Sequence, residues 1–174
     1  MLTFGTIAYG LAAVGFFVLT LLLATSWEGR GQGARLIVAC AINSVWAALL
    51  AYASWTQNVK VELVTWAEFL RDGAWLFVLA GLISSGGFQA IFSRLVYALS
   101  GGAVFLATVV WVASMRSGPV EQAPQILILG GLLLSLAALV LLEQVYRNAS
   151  RAGRYSLKFF VIGVGVLFAY DLFL

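Results

Sequence analysis

Read for its apolar and polar positions, the chain is a series of six long apolar runs parted by short links rich in helix breakers. The runs fall at roughly 4 to 24, 36 to 55, 61 to 83, 95 to 115, 125 to 143 and 157 to 174. Each, wound as a helix rising 1.5 Å per residue, is long enough to cross a hydrocarbon core of about 30 Å. The links SWEGRGQGAR, SSGGFQ, RSGPVEQAP and YRNASRAGRYS hold the glycine, proline and serine that interrupt helices. None is long enough to be a separate domain, so residues 1–174 are expected to form one bundle. A membrane barrel would show segments of about 10 residues with alternating polarity, which are absent. The pattern predicts an all-α, polytopic integral membrane helix bundle with about six transmembrane helices.

Composition agrees with a lipid setting. Of the 174 residues 63% are hydrophobic and only 10% charged, with a mean hydropathy of +1.02, whereas soluble domains are near a quarter charged. The lone cysteine, Cys40, rules out an intrachain disulfide, and the chain has no histidine. Histidine-ligated haem or zinc, a histidine general base and the phosphoacceptor of an ordinary histidine kinase are therefore excluded from these residues. No metal site, cofactor or enzymatic activity is expected. A retinal pigment is disfavoured because Lys158 stands at a helix mouth. The net charge of +3 is scattered through the links, which points to membrane lipid as the partner and away from nucleic acid.

The basic residues also set a direction. Odd-numbered connections hold seven (Arg30, Arg35, Arg94, Arg147, Arg151, Arg154 and Lys158) and the other side three (Lys60, Arg71 and Arg116). By the positive-inside rule the N-terminus is expected outside. The first run lacks the basic start and short core of a signal peptide and is expected to be a retained helix. Ending at LFAYDLFL, still apolar, the chain reads like a truncation.

The charges in EFLRDGAW, residues 68 to 75, stand out. If the third span begins at Val61, Glu68 lies ~10 Å and Arg71 and Asp72 ~15 Å below the outer edge. Each charge at such depth costs ~2.5 to 3.5 kcal/mol unless it faces the interior and pairs. Arg71 can reach Glu68 at i−3, and Trp75 at i+4 can lie beside its guanidinium. Asp171, ~20 Å along the last helix from Lys158, comes to the depth of Glu68 and is expected to join them, with the third and last helices as neighbours. Asn43, Gln89 and Glu143 are the other polar groups near an interior. Three explanations stand: polar glue between helices, a ligand or proton site with acids in excess of base, or a third helix that starts later and leaves the triad in water.

Elsewhere the simpler explanations are preferred. Trp27, Trp46, Trp55, Trp66, Trp75 and Trp111 are expected to form interfacial belts, and Gly163 and Gly165 to mark close helix packing. Arg147, Arg151, Arg154 and Lys158 make a basic connection suited to lipid headgroups or a cytoplasmic partner.

Three blocks, EFLRDGAWLFVL, LLEQVYRNAS and LKFFVIGVGVLFAYDLFL, resemble the membrane-embedded N-terminal region of sensor histidine kinases of the PEP-CTERM and exosortase system. The resemblance implies a bacterial inner membrane and a sensory, signal-input role, with a GAF domain and kinase core downstream. This chain departs from that pattern in having neither, so by itself it is not expected to be a kinase. A downstream kinase domain is the implied partner. The alternative is a small structural or accessory subunit of a larger membrane complex; a transporter is weaker, since neither paired broken helices nor an inverted repeat is evident. The orientation is directly testable: cysteines introduced singly at Gly31 and Ser150 should react with an impermeant reagent only after permeabilisation. Labelling of both in intact cells would overturn the assignment.

Overall fold

The computed structural model of the chain describes residues 4–27, 29, 31–57, 59–83, 123–149 and 151–172, together with 97, 98, 101, 102, 104, 105, 108, 109 and 112. The described residues form five helices: α1 (Phe4–Thr25), α2 (Gly31–Thr56), α3 (Val61–Ile83), α4 (Ala123–Asn148) and α5 (Arg151–Asp171). Three stretches, Phe4–Thr25, Gly31–Thr56 and Ile128–Asn148, are long and apolar enough to cross a membrane. The chain is an all-helical membrane protein. The expected span at 95 to 115 and its flanking links lie largely outside the described residues, those described within it being helical.

Three boundaries depart from expectation, and all move arginines from links into helices, α4 running on to Asn148 and so taking in Arg147. Residues Gly31 to Arg35 belong to α2, because the reversal after α1 is completed by Gly29, whose φ of 82° is a left-handed conformation that favours glycine. At the other end α5 starts at Arg151, six residues before 157, so most of the supposed link is helix. Arg154 makes the short turn possible. Its Nε donates to the Ala149 carbonyl at 3.0 Å and its Nη2 to the Arg147 carbonyl at 3.1 Å, satisfying acceptors that the end of α4 leaves open. The far end of α2 closes on Gln57, whose φ of 55° is unusual for a residue with a side chain. Its amide donates to Ala53 O at 2.9 Å and its Nε2 to Ser54 O at 3.0 Å.

The helices pack in series: α1 on α2, α2 on α3, α3 on α4 and α4 on α5, with no other pair of them bringing backbones together. An interhelical bond from Ser44 Oγ to the Ala13 carbonyl, 2.9 Å, supplements the first of these contacts. The third and last helices, expected to be neighbours, meet through long side chains, Arg71 with Asp171 and Trp75 with Phe160, and not through close backbones. α1 buries no residue, whereas α3 buries Ala67, Phe69, Arg71, Asp72, Trp75, Leu76, Val78, Leu79 and Ala80, which cover more than half of its circumference and leave the side of Phe77 open. α3 is therefore the central helix. α4 presents Leu134, Ser135, Ala138, Leu141, Leu142 and Val145, and α5 presents Val164 and Phe168, at helical spacing.

Gly165 admits Leu142 Cδ2 to 3.2 Å of where a Cβ would stand, while Gly163 meets nothing within 4 Å. Only the first of the two glycines is a packing contact. Phe168 is fully buried and Phe159, on the same helix, is 75% exposed. Phe168→Ala should therefore lower unfolding stability in detergent by about 3 kcal/mol or more, the cost of emptying a core aromatic site. Phe159→Ala should change it by less than about 1 kcal/mol. Denaturant titration of both variants checks the contrast, and equal losses would contradict the placement of α5.

Candidate functional site

The charges of α3 lie on the side of the helix that its neighbours cover. Arg71 and Asp72 are 3% and 5% exposed, so the possibility that the third helix begins at Ala74 with the triad in water is excluded. Arg71 Nε and Nη2 donate to Asp72 Oδ1 at 3.1 and 2.9 Å, and Nη2 donates to Asp171 Oδ2 of α5 at 2.6 Å. Both are charge-assisted contacts of the strong kind. Asp171 falls on the core-facing side of α5, three residues beyond the buried Phe168 and seven beyond Val164, a helical repeat that aims it inward.

Glu68 belongs to the same neighbourhood without sharing the clasp. It is partly buried and within electrostatic range of Arg71 and Asp171, but among the described residues no donor hydrogen-bonds to it. The expected Arg71–Glu68 pair is thus replaced by Arg71–Asp72 and Arg71–Asp171. The guanidinium donors are taken by the carboxylates of Asp72, next to it in the chain, and of Asp171, delivered from α5, whereas Glu68 lies a turn away on α3. Three acids, Glu68, Asp72 and Asp171, surround one base.

A second correction concerns the aromatic partner. The face of the Arg71 guanidinium lies over Trp46 of α2, 4.2 Å from the ring centroid, a desolvated cation–π contact of order 2 kcal/mol. Trp75 instead packs against Phe160 of α5, centroids 6.1 Å apart. Trp46 in turn meets the edge of Tyr9 of α1, 6.0 Å apart at 85°. The Tyr9 hydroxyl faces Tyr170 of α5 and lies within electrostatic range of Glu68 and Arg71. Side chains of α1, α2, α3 and α5 therefore converge on Arg71.

Tyr9, Trp46 and Tyr170 were not among the residues expected here. A signal for two of them exists in the numbering. Across a short hairpin link, residues equally far from its middle share a depth, and the α1–α2 and α2–α3 links centre near residues 28 and 58. Arg71 thus pairs in depth with Trp46, and Trp46 with Tyr9. Among the tryptophans, Trp27 and Trp55 are exposed near helix ends as a belt requires, whereas Trp46, Trp66 and Trp75 lie inside. Trp111 lies outside the described residues. The Trp66 indole donates to Thr108 Oγ1 at 2.9 Å.

The remaining candidates stay apart from this cluster. Asn43 is fully buried, yet its Nδ2 bonds to the Ala39 carbonyl of its own helix at 2.9 Å. Gln89 lies outside the described residues. Glu143 pairs with Arg147 at 3.5 Å on the exposed side of α4, a contact that adds little to stability. Arg154 serves the α4–α5 turn, Lys158 is exposed, and the Arg151 side chain is outside the described residues.

Removing Arg71 leaves two buried carboxylates without their partner, which costs about 3 to 5 kcal/mol. Removing Glu68 leaves the clasp intact. Arg71→Ala should therefore lower the unfolding midpoint in detergent well below that of Glu68→Gln; equal losses would mean that Arg71 is solvated. In a double-mutant cycle, Arg71→Gln with Asp171→Asn should show a coupling above ~0.5 kcal/mol, the scale at which contacting residues depart from additivity. Additive losses would deny the contact.

Comparison of the chain with known proteins found no matching family model, no matching curated protein and no matching solved structure.

Proposed function

We propose that the chain is a membrane-embedded signal-input module, similar to the membrane region of the PEP-CTERM and exosortase sensor kinases, with about six crossings of a bacterial inner membrane and an outside N-terminus. The single observation that supports this reading most is the Arg71–Asp171 contact, which joins α3 to α5 where no backbone contact does. A contact of that kind can be made or released without rebuilding a helix. Whatever neutralises one carboxyl of the cluster, a proton or a cationic ligand group, stabilises one arrangement of α5 over another, and the bias is read at the end of the bundle. About 1.4 kcal/mol moves such a balance tenfold, less than the loss of one partner from a buried ion pair.

The seven-to-three distribution of basic residues supports the orientation, and the three sequence blocks support the kinase system. The cluster by itself proposes no reaction. In the complete reading frame carrying a kinase core, Asp171→Asn and Glu68→Gln should change autophosphorylation in membrane vesicles by about tenfold, a bias of ~1.4 kcal/mol, at an unchanged amount of folded protein. Normal output from both variants would leave the charges as packing glue and end this reading. Recovery of the native protein in fixed stoichiometry with unrelated membrane subunits, and without a kinase core, would instead favour the accessory-subunit role.

A further inference from the structure

A second arginine inside the bundle has a different setting from Arg71. Arg35 lies in the second turn of α2, ~6 Å along the axis from the start of that helix, at the depth of lipid headgroups. Its guanidinium lies across α3 at Gly81, where an added Cβ would run into it. It packs over the Phe77 ring, 4.8 Å from the centroid, and donates a long hydrogen bond of 3.4 Å to the Tyr97 hydroxyl. Among the described residues no carboxylate pairs with it. A guanidinium has five N–H donors, more than the contacts of Arg35 with the described residues use.

Arg35 stands at one end of a cleft of about 410 Å³. The cleft runs from Arg35, Phe77 and Tyr97 to Ile42, Leu70 and Val104; Arg35 and Ile42 on α2, and Phe77 and Leu70 on α3, lie seven residues apart, about 10 Å of helix. Beyond the arginine and the tyrosine its lining is apolar. Val38 and Phe77 on its walls are 53% and 46% exposed, so it opens sideways on the surface of the bundle, where lipid lies. Cation at headgroup depth, apolar channel toward the midplane and lateral opening together match one kind of molecule.

We propose that this cleft is a binding site for an anionic phospholipid, whose headgroup phosphate is held by Arg35 and whose acyl chain lies along Ile42, Leu70 and Val104. The site is separate from the Arg71 cluster and does not depend on the signal-input reading. A soluble anion would have no use for the apolar channel, and a zwitterionic lipid would bring its own cation beside Arg35.

The protein reconstituted in nanodiscs of phosphatidylglycerol and phosphatidylcholine in equal parts, then released into native mass spectrometry, should retain phosphatidylglycerol preferentially. Arg35→Gln should reduce that preference roughly tenfold, the scale of losing one charge-assisted hydrogen-bonded contact, and Arg35→Lys should retain part of it. Ala74→Trp, which fills the channel without touching the charge, should lower retention of either lipid, and it decides the matter if Arg35→Gln fails to fold. Inorganic phosphate should not compete. Unchanged preference in folded Arg35→Gln, unchanged retention in Ala74→Trp, or displacement of the lipid by inorganic phosphate would each overturn the site.

Discussion

A guanidinium held between Asp72 and Asp171 ties the last helix to the centre of this bundle. The helices otherwise follow one another in series, each against the next, and a series of apolar contacts in lipid has no hydrophobic force to close it, since lipid tails solvate leucine as well as leucine does. A charge in hydrocarbon is different: its alternatives to pairing are protonation, hydration or exposure, all unfavourable. The cost of placing Arg71 in the membrane is thus turned into a directional constraint. α5 must deliver Asp171 to it, and α2 must deliver Trp46.

The same constraint explains why the charged helix is the most buried one. Apolar α1, packed on α2, buries no residue, while α3, which carries the charges, buries more residues than any other described helix. At this centre three acids, Glu68, Asp72 and Asp171, stand around one base. Arg35 is the contrasting case, a cation that pairs with no carboxylate among the described residues and stands beside an apolar cleft.

Much of this was legible in the residues. The all-helical membrane class followed from the length and polarity of the apolar runs, and the bounds of α3 from the need to reach about 20 residues before SSGGFQ. The depth of Asp171 could be counted from Lys158. What could not be read was the direction of side chains. Spacing on a single helix offered Glu68 and Trp75 as partners for Arg71, and both were superseded because partners on other helices, Asp171 and Trp46, compete at shorter range in the interior. Helix ends were misjudged where tertiary bonds act at a distance: Arg154 closes the α4–α5 turn by reaching back to two carbonyls, and residue order alone does not show that.

Asp72 and Asp171 are the chain's two aspartates, which makes the clasp open to direct measurement. With arginine labelled in ¹⁵N and the aspartate carboxyl carbons in ¹³C, solid-state dipolar recoupling in lipid should find both carboxyl signals within about 4 Å of guanidinium nitrogen, the distance of hydrogen-bonded contact. Both couplings should vanish in Arg71→Gln. A coupling to one aspartate alone, or couplings that survive the substitution, would contradict a bundle closed on Arg71.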